Sequence, residues 1–157
     1  MKLYIIGFSS AGKSTLAKSL ADRWSIPYWD TDEIFIKEYS ENIADYVRSH
    51  GWPAFRKAES DILLKTQKLI PTSESFHFDS SAAVQYRGIV ACGGGIVESE
   101  TNRAFLAEKR LIWLSPPWEL LWSRIRQSPS AFCSGKSEQD LYQDYRRRCT
   151  LYRSLIS

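Results

Sequence analysis

The chain has 157 residues, of which 43% are hydrophobic, 25% are charged and 13% are aromatic. This composition excludes an intrinsically disordered protein, and the length suits one domain over residues 1–157. A net charge of +3 gives only a weak preference for anionic ligands and no reason to expect nucleic acid. No apolar run is long enough to cross a membrane. Three scattered cysteines, Cys92, Cys133 and Cys149, argue against a disulfide framework and favour the reducing cytoplasm.

Short apolar runs alternate with helical patterns along the chain. In chain order we expect a strand over 3–6, a helix over 13–24, a strand over 26–29, helices over 42–49 and 53–69, a loop or hairpin over 70–87, strands over 88–91 and 111–114, a helix over 120–126, a loop over 128–136 and a helix over 138–155. This alternation predicts an α/β fold in three layers, with a parallel sheet of four or five strands and helices on both faces.

The first loop carries the strongest motif of the sequence. Gly7-Phe8-Ser9-Ser10-Ala11-Gly12-Lys13-Ser14 matches the Walker A pattern, with an apolar strand before it and an amphipathic helix after it. Glycines let successive backbone N–H groups point at phosphate oxygens, the lysine reaches the β- and γ-phosphates, and the serine ligates Mg²⁺. The alternative is an ordinary Gly/Ser-rich turn. The predicted nucleotide-binding residues are Gly7, Ser9, Ser10, Ala11, Gly12, Lys13 and Ser14.

Two aspartates follow the second predicted strand. Asp30 and Asp32 should lie at the same sheet edge as the phosphate-binding loop, and residues two apart in an extended chain project to the same side. One could contribute to the Mg²⁺ shell and the other could orient an attacking hydroxyl. For Asp32 the alternative is the N-cap of a helix that begins at Glu33.

Two arginines are candidates for binding an anion. Arg56 lies three residues before Glu59 on a predicted helix, which fits a surface ion pair or a glutamate that holds Arg56 against a substrate; the spacing alone favours the surface pair. On the last helix, Arg148 falls within the apolar stripe marked by Leu141 and Tyr152. A guanidinium there needs a buried carboxylate or an anionic ligand, and both remain open.

Three consecutive glycines, Gly93, Gly94 and Gly95, follow the third predicted strand. Without side chains they would let a ligand lie against the backbone, where N–H groups are free to donate. The alternative is a loose turn. Their position at the expected ligand edge favours a binding role.

Together these motifs resemble the shikimate kinase family of P-loop small-molecule kinases, with an NTPase-type fold. The matching segments, in family order, are Gly7-Phe8, Gly12-Lys13-Ser14-Thr15, Trp29-Asp30-Thr31-Asp32, Ser49-His50-Gly51, Phe55-Arg56, Glu59, Cys92-Gly93-Gly94-Gly95-Ile96-Val97, Leu114-Ser115-Pro116, Arg148 and Tyr152. The combination is much more specific than the Walker A pattern alone.

The resemblance implies transfer of the γ-phosphate of ATP to the 3-hydroxyl of shikimate, with Mg²⁺, by a cytoplasmic monomer that binds a small molecule and neither nucleic acid nor a membrane. The catalytic residues it implies are Lys13, Asp32 and Arg56. It adds Thr15 and Arg124 to the nucleotide site and assigns Ser14 and Asp30 to the metal. The implied shikimate-binding residues are Asp32, Arg56, Gly93, Gly94, Gly95 and Arg148.

The sequence departs from the family pattern at several points. The lid, expected over about residues 127–137, has Ser128-Pro129 where the family has Arg-Pro, and Arg126 is a candidate substitute. Gly51-Trp52 stands where the family has Gly-Glu, and the resemblance predicts a strand, an adenine-contacting turn and a helix beyond Tyr152 that are not visible. The alternatives are therefore another small-molecule kinase of the gluconate type, or a degenerate P-loop protein that binds nucleotide or a partner without turnover.

Overall fold

The computed structural model describes residues 1–69 and 86–156. In chain order these form β1 (Leu3–Ile6), α1 (Lys13–Trp24), β2 (Tyr28–Asp30), α2 (Thr31–Tyr39), α3 (Ile43–Lys65), β3 (Ile89–Ala91), α4 (Glu100–Ala107), β4 (Arg110–Trp113), α5 (Trp118–Gln127) and α6 (Glu138–Arg153). Short 3-10 turns cover Thr66–Lys68 and Ile96–Glu98. Most of the loop or hairpin expected over 70–87 lies outside the described residues. No helix in the described ranges combines the length and apolarity needed to cross a membrane.

The sheet is parallel throughout, with the strand order β2-β3-β1-β4. In its register Tyr4 lies opposite Val90 on one side and Leu111 on the other, and Asp30 lies opposite Ala91. Because parallel strands end at the same edge, the loops that follow β1, β2 and β3 are neighbours in space. The predicted parallel-sheet α/β fold is confirmed, and the sheet of the described residues has four strands where four or five were expected.

Alternate residues of β1 enter two separate cores. Leu3 and Ile5 pack with Ala17 and Ala21 of α1 on one face of the sheet. The intervening residues Tyr4 and Ile6 belong to the core on the other face, whose helical members are Leu63 of α3, Phe105 and Leu106 of α4 and Tyr152 of α6. Helices therefore cover both faces, as expected for a buried parallel sheet and a three-layer fold.

The elements that differ from the sequence-based expectation include β2 and α4. β2 begins at Tyr28 and not at Ile26, because Pro27 has no N–H to donate to the ladder and contributes only its carbonyl, which accepts from the Ile89 N–H at 3.0 Å. The helix α4 was not expected from the sequence, although Ser99 is its N-cap and accepts from the Asn102 N–H.

A kink divides α3 where two helices were predicted. Gly51 interrupts the helix with φ 82° and ψ 165°, and Pro53 starts the next turn. A residue with a Cβ is strained in this backbone region, so the glycine sets the direction of the second half of the helix. That half carries Phe55, Arg56 and Glu59 to the sheet edge.

We expect Gly51→Ala to lower the free energy of unfolding by about 1–3 kcal/mol, because alanine must adopt a conformation that only glycine tolerates well. Urea unfolding followed by circular dichroism measures this change. Ser49→Ala, at an exposed position two residues earlier, is the control and should change stability by less than about 0.5 kcal/mol. Equal stabilities of the two variants would contradict the assignment of strain to Gly51.

Candidate active site

The phosphate-binding loop, Gly7–Ser14, connects β1 to α1 at the carboxyl edge of the sheet. Within it the Lys13 ammonium is nearly buried and donates to the Phe8 carbonyl at 2.8 Å. Burial lowers the pKa of Lys13, and the carboxylates of Asp32 and Asp30 oppose that shift. From outside the loop, Arg124 of α5 donates to the carbonyls of Ser10 and Ala11 at 3.1 and 3.3 Å. The loop is thus held in place by one cation inside it and one beside it.

The Asp30 carboxylate joins the start of α1 to the start of α2. Its Oδ1 accepts from the backbone N–H groups of Asp32 and Glu33, which makes Asp30 the N-cap of α2. Its Oδ2 accepts a short hydrogen bond from the hydroxyl of Ser14. The alternative that Asp32 caps the helix is therefore wrong: the carboxylate that precedes the first helical turn is the one able to reach its free N–H groups.

Asp32 lies in the first turn of α2 and faces the triple glycine. Burial raises the pKa of Asp32 to about 7, with further contributions from the negative charges of Asp30 and Glu59 that Lys13 and Arg56 only partly offset. A carboxylate with such a pKa can exchange a proton near neutrality.

The triple glycine is the floor of the site. A Cβ on Gly93 would lie 2.7 Å from Asp32 Oδ1 and 2.8 Å from Glu59 Oε1, and one on Gly95 would overlap the Arg56 guanidinium. A Cβ on Gly94 would lie 2.8 Å from the backbone nitrogen of Ser9 in the phosphate-binding loop. Real Cβ atoms do not approach other atoms this closely, so the segment is more than a loose turn: charged side chains from α2 and α3 pack directly on bare backbone.

Arg56 is paired with Glu59 at 2.7 Å. Glu59 is only 4% exposed, so the expectation of a surface ion pair is wrong. Burial raises the pKa of Glu59, and the charge of Arg56 opposes that shift. The Arg56 guanidinium carbon also lies 5.2 Å from the centroid of the Trp52 ring, which with Glu59 fixes its orientation at the site.

Arg148 is 1% exposed, whereas Arg146 and Arg147 are exposed, which confirms the inward position inferred from the apolar stripe. Its Nε donates to Glu98 Oε1 at 2.6 Å and its Nη1 donates to the Gly94 carbonyl at 3.3 Å. The carboxylate partner that the sequence left open is therefore Glu98. Contact with Gly94 places the guanidinium at the glycine floor.

Sequence reasoning missed Glu98. This carboxylate accepts from Arg148 on one side and from both Nη atoms of Arg147 at 2.7 and 2.8 Å on the other. Burial opposes its ionisation, but hydrogen bonds from Arg147 and the charge of Arg148 prevail and lower the pKa of Glu98 to about 2. Glu98 could have been noticed because it follows the glycine cluster by three residues. Nothing in the sequence, however, pairs it with a helix some 50 residues later.

The segment between α5 and α6, residues 128–137, passes beside the phosphate-binding loop. The hydroxyl of Ser130 lies 3.4 Å from that of Ser9. Arg126, the candidate substitute for a lid arginine, has its guanidinium carbon 5.7 Å from the centroid of Trp122, a neighbour on the same helix. The segment thus approaches the phosphate side through a serine.

The two residues predicted to bind the metal, Ser14 and Asp30, are hydrogen-bonded to each other. In the described part of the chain, no three His, Cys, Asp or Glu side chains converge as an all-protein metal site would require. A hydroxyl next to one carboxylate, beside a phosphate-binding loop, fits Mg²⁺, which is commonly bound by one or two carboxylates together with substrate phosphates.

We expect Glu98→Gln to lower the free energy of unfolding by about 2 kcal/mol at pH 7. This value follows from the lower pKa of Glu98 in the folded chain and is reduced because the side chain is partly exposed to solvent. Because its pKa is lower in the folded chain, Glu98 adds stability that is complete above its ordinary value of 4.5 and is lost as the pH falls toward about 2. The free energies of unfolding of the wild type and the variant, measured in urea, should converge as the pH falls from 5 to 2.

The control for this prediction is Glu100→Gln, an exposed carboxylate two residues away. The free energy of unfolding of Glu100→Gln should stay close to that of the wild type over the same pH range. A difference between wild type and Glu98→Gln that is as large at pH 2 as at pH 7 would contradict the role assigned to the ionised Glu98.

Comparisons with known proteins bear on this site. The shikimate kinase family model matches residues 9–70 and 73–156. Shikimate kinase 2 of Syntrophotalea carbinolica is 34% identical over 131 residues, which are 82% of this chain and 66% of the relative. Shikimate kinase of Nitratidesulfovibrio vulgaris is 33% identical over 157 residues (96% and 81%), and that of Staphylococcus aureus JH9 is 33% identical over 128 residues (81% and 64%). The chain spans slightly under two thirds of the first and third of these relatives.

Solved structures share the fold. Shikimate kinase from Acinetobacter baumannii in complex with shikimate has a TM-score of 0.82 and 24% identity, covering 98% of this chain and 79% of that one. Shikimate kinase from Aquifex aeolicus has a TM-score of 0.76 and 22% identity, covering 98% and 83%. With the phosphate-binding loop, the aspartates after β2 and the glycine floor in place, the matches in sequence and fold lead to one conclusion: the chain belongs to the shikimate kinase family.

Proposed function

We propose that the protein is a shikimate kinase, an ATP-dependent transferase that makes shikimate 3-phosphate in aromatic amino-acid biosynthesis. One observation carries the proposal. At one edge of the sheet, the phosphate-binding loop lies next to the glycine floor, and Arg56 and Arg148 flank that floor. A phosphate donor and a carboxylate-bearing acceptor would each find complementary groups there.

The donor side would be formed by the phosphate-binding loop. Its nucleotide-binding residues are proposed to be Gly7, Ser9, Ser10, Ala11, Gly12, Lys13, Ser14, Thr15 and, toward the adenine, Arg124. Lys13 would turn from the Phe8 carbonyl to the β- and γ-phosphates. Ser14 and Asp30 would hold Mg²⁺, which when bound neutralises charge on the phosphates.

The acceptor side would be formed by the two arginines and the floor. Arg56 and Arg148 would bind the shikimate carboxylate, whose planar shape matches a guanidinium fork. Gly93, Gly94 and Gly95 would let the ring lie against the backbone.

Asp32 would hold the shikimate hydroxyls and assist proton removal from the attacking 3-hydroxyl. Its position supports this role, since it lies between the metal-side Asp30 and the glycine floor. Lys13 would stabilise negative charge on the transferred phosphoryl group, and Arg56 would fix the acceptor for attack.

A monomer in the cytoplasm is the proposed working state. The free thiols of Cys92, Cys133 and Cys149 support a reducing location.

The purified protein should form ADP and a phosphorylated acceptor when given ATP, Mg²⁺ and shikimate, because both substrates would meet at one site. A coupled ADP assay measures turnover, and ³¹P NMR identifies the product. Gluconate in place of shikimate should give no turnover above background.

The control for the assay is Lys13→Ala, which should reduce kcat at least about 100-fold because it removes the cation from the phosphate-binding loop. Equal activity in this variant would point to a contaminating kinase. Saturable nucleotide binding without any turnover on shikimate would contradict the proposed function and favour the degenerate alternative.

Arg148→Lys should raise KM for shikimate by about 10- to 100-fold, since lysine keeps the charge but loses the planar fork. The Kd for ATP should stay within about twofold, because Arg148 donates its hydrogen bonds to Glu98 and the glycine floor, and its contact with the phosphate-binding loop is with the apolar ring of Phe8, 5.5 Å away. Arg146→Lys, at the exposed position two residues earlier, is the matched control and should leave both constants unchanged. A parallel loss of ATP affinity in Arg148→Lys would contradict the acceptor-side assignment.

A further inference from the structure

Phe132, in the segment between α5 and α6, has two cations close to the centroid of its ring. The guanidinium carbon of Arg148 is 3.8 Å from the centroid of its ring, and Lys136 Nζ is 3.5 Å from the same point. A cation this close to a centroid lies over the ring and not beside its edge. Phe132 therefore packs directly against the guanidinium of Arg148.

The same ring reaches the surroundings of the other candidate acceptor arginine. Phe132 packs edge-on against Trp52 with centroids 5.9 Å apart, and Trp52 in turn underlies Arg56 at 5.2 Å. Phe132 also packs against Phe8 of the phosphate-binding loop at 6.3 Å. One side chain from the 128–137 segment thus connects both arginine environments.

The position of Phe132 is fixed by its neighbour. Cys133 is 3% exposed and belongs to a core cluster with Phe8, Leu121 and Leu141. An anchored neighbour limits the movement of the Phe132 ring relative to α6, which carries Arg148.

Stacking on Arg148 leaves its in-plane donors available. Glu98 accepts from Nε and the Gly94 carbonyl accepts from Nη1, and neither contact involves Nη2. A guanidinium covered on its face still donates in its own plane to a carboxylate. An ion pair formed beside a ring that excludes water is also stronger than one in solvent.

We propose that Phe132 is a positioning residue for the acceptor: its ring holds the plane of Arg148 so that the free edge of the guanidinium faces the acceptor carboxylate. This inference rests on the proposed function and adds to it a residue that sets affinity for a carboxylate-bearing substrate. The contribution of Phe132 to acceptor affinity comes from the aromatic face of its ring and not from the size of the side chain alone.

Three variants separate these contributions, namely Phe132→Ala, Phe132→Leu and Phe132→Tyr. Isothermal titration calorimetry gives the Kd for shikimate and for a non-hydrolysable ATP analogue, and steady-state kinetics gives KM and kcat. Alanine and leucine should weaken shikimate binding by about tenfold, whereas tyrosine, which keeps the ring, should stay within about twofold of the wild type. The Kd for the ATP analogue should change by less than about twofold in all three.

Tyr142→Ala is the matched control, because it removes an exposed aromatic ring from the helix that carries Arg148. Its shikimate affinity should equal that of the wild type. Unchanged affinity in Phe132→Ala, or full affinity in Phe132→Leu, would overturn the inference. If Phe132→Ala does not fold, the comparison of leucine with tyrosine decides the question. A wild type that binds no shikimate would overturn the proposed function and the inference with it, whereas shikimate binding that is insensitive to Phe132 would overturn the inference alone.

Discussion

The close approach of charged side chains to bare backbone at Gly93–Gly95 is the constraint on which the rest of the site depends. Asp32, Glu59 and Arg56 come from two helices on different segments, and each occupies space that a Cβ on this floor would fill. The order β2-β3-β1 places the floor between the end of β2 and the phosphate-binding loop. A single substitution there would displace charges from several elements at once.

The two inward arginines share a second constraint, since each has a carboxylate partner before any ligand arrives. Glu59 pairs with Arg56 and Glu98 pairs with Arg148. A buried unpaired guanidinium is costly, so these pairs let the chain hold two cations at a sheet edge without unfolding around them. An acceptor carboxylate would therefore join existing pairs at their free edges. It would not have to compensate two bare charges.

Local features were predictable from the sequence and tertiary pairings were not. The phosphate-binding loop, the four strands and the inward position of Arg148 follow from motifs and periodicity, which operate over a few residues. The choice of Asp30 over Asp32 as helix cap depended on where α2 begins, which is at Thr31, directly after β2, and not at Glu33. Glu98 and Phe132 were missed because their partners lie on other elements, at separations that no pattern records.

Short chains of contact join the phosphate-binding loop to the residues of the proposed acceptor side. Ser14 donates to Asp30, and the same carboxylate holds the backbone N–H of Asp32, so the start of α1 and the start of α2 are linked through one side chain. Across the site, Ser130 lies beside Ser9 while Phe132, two residues later, lies on Arg148. Any displacement of the phosphate-binding loop must move at least one of these neighbours, because packed side chains do not deform independently. The geometry of Asp32 and Arg148, the proposed acceptor groups, is thus tied to that of the loop from both sides of the sheet edge.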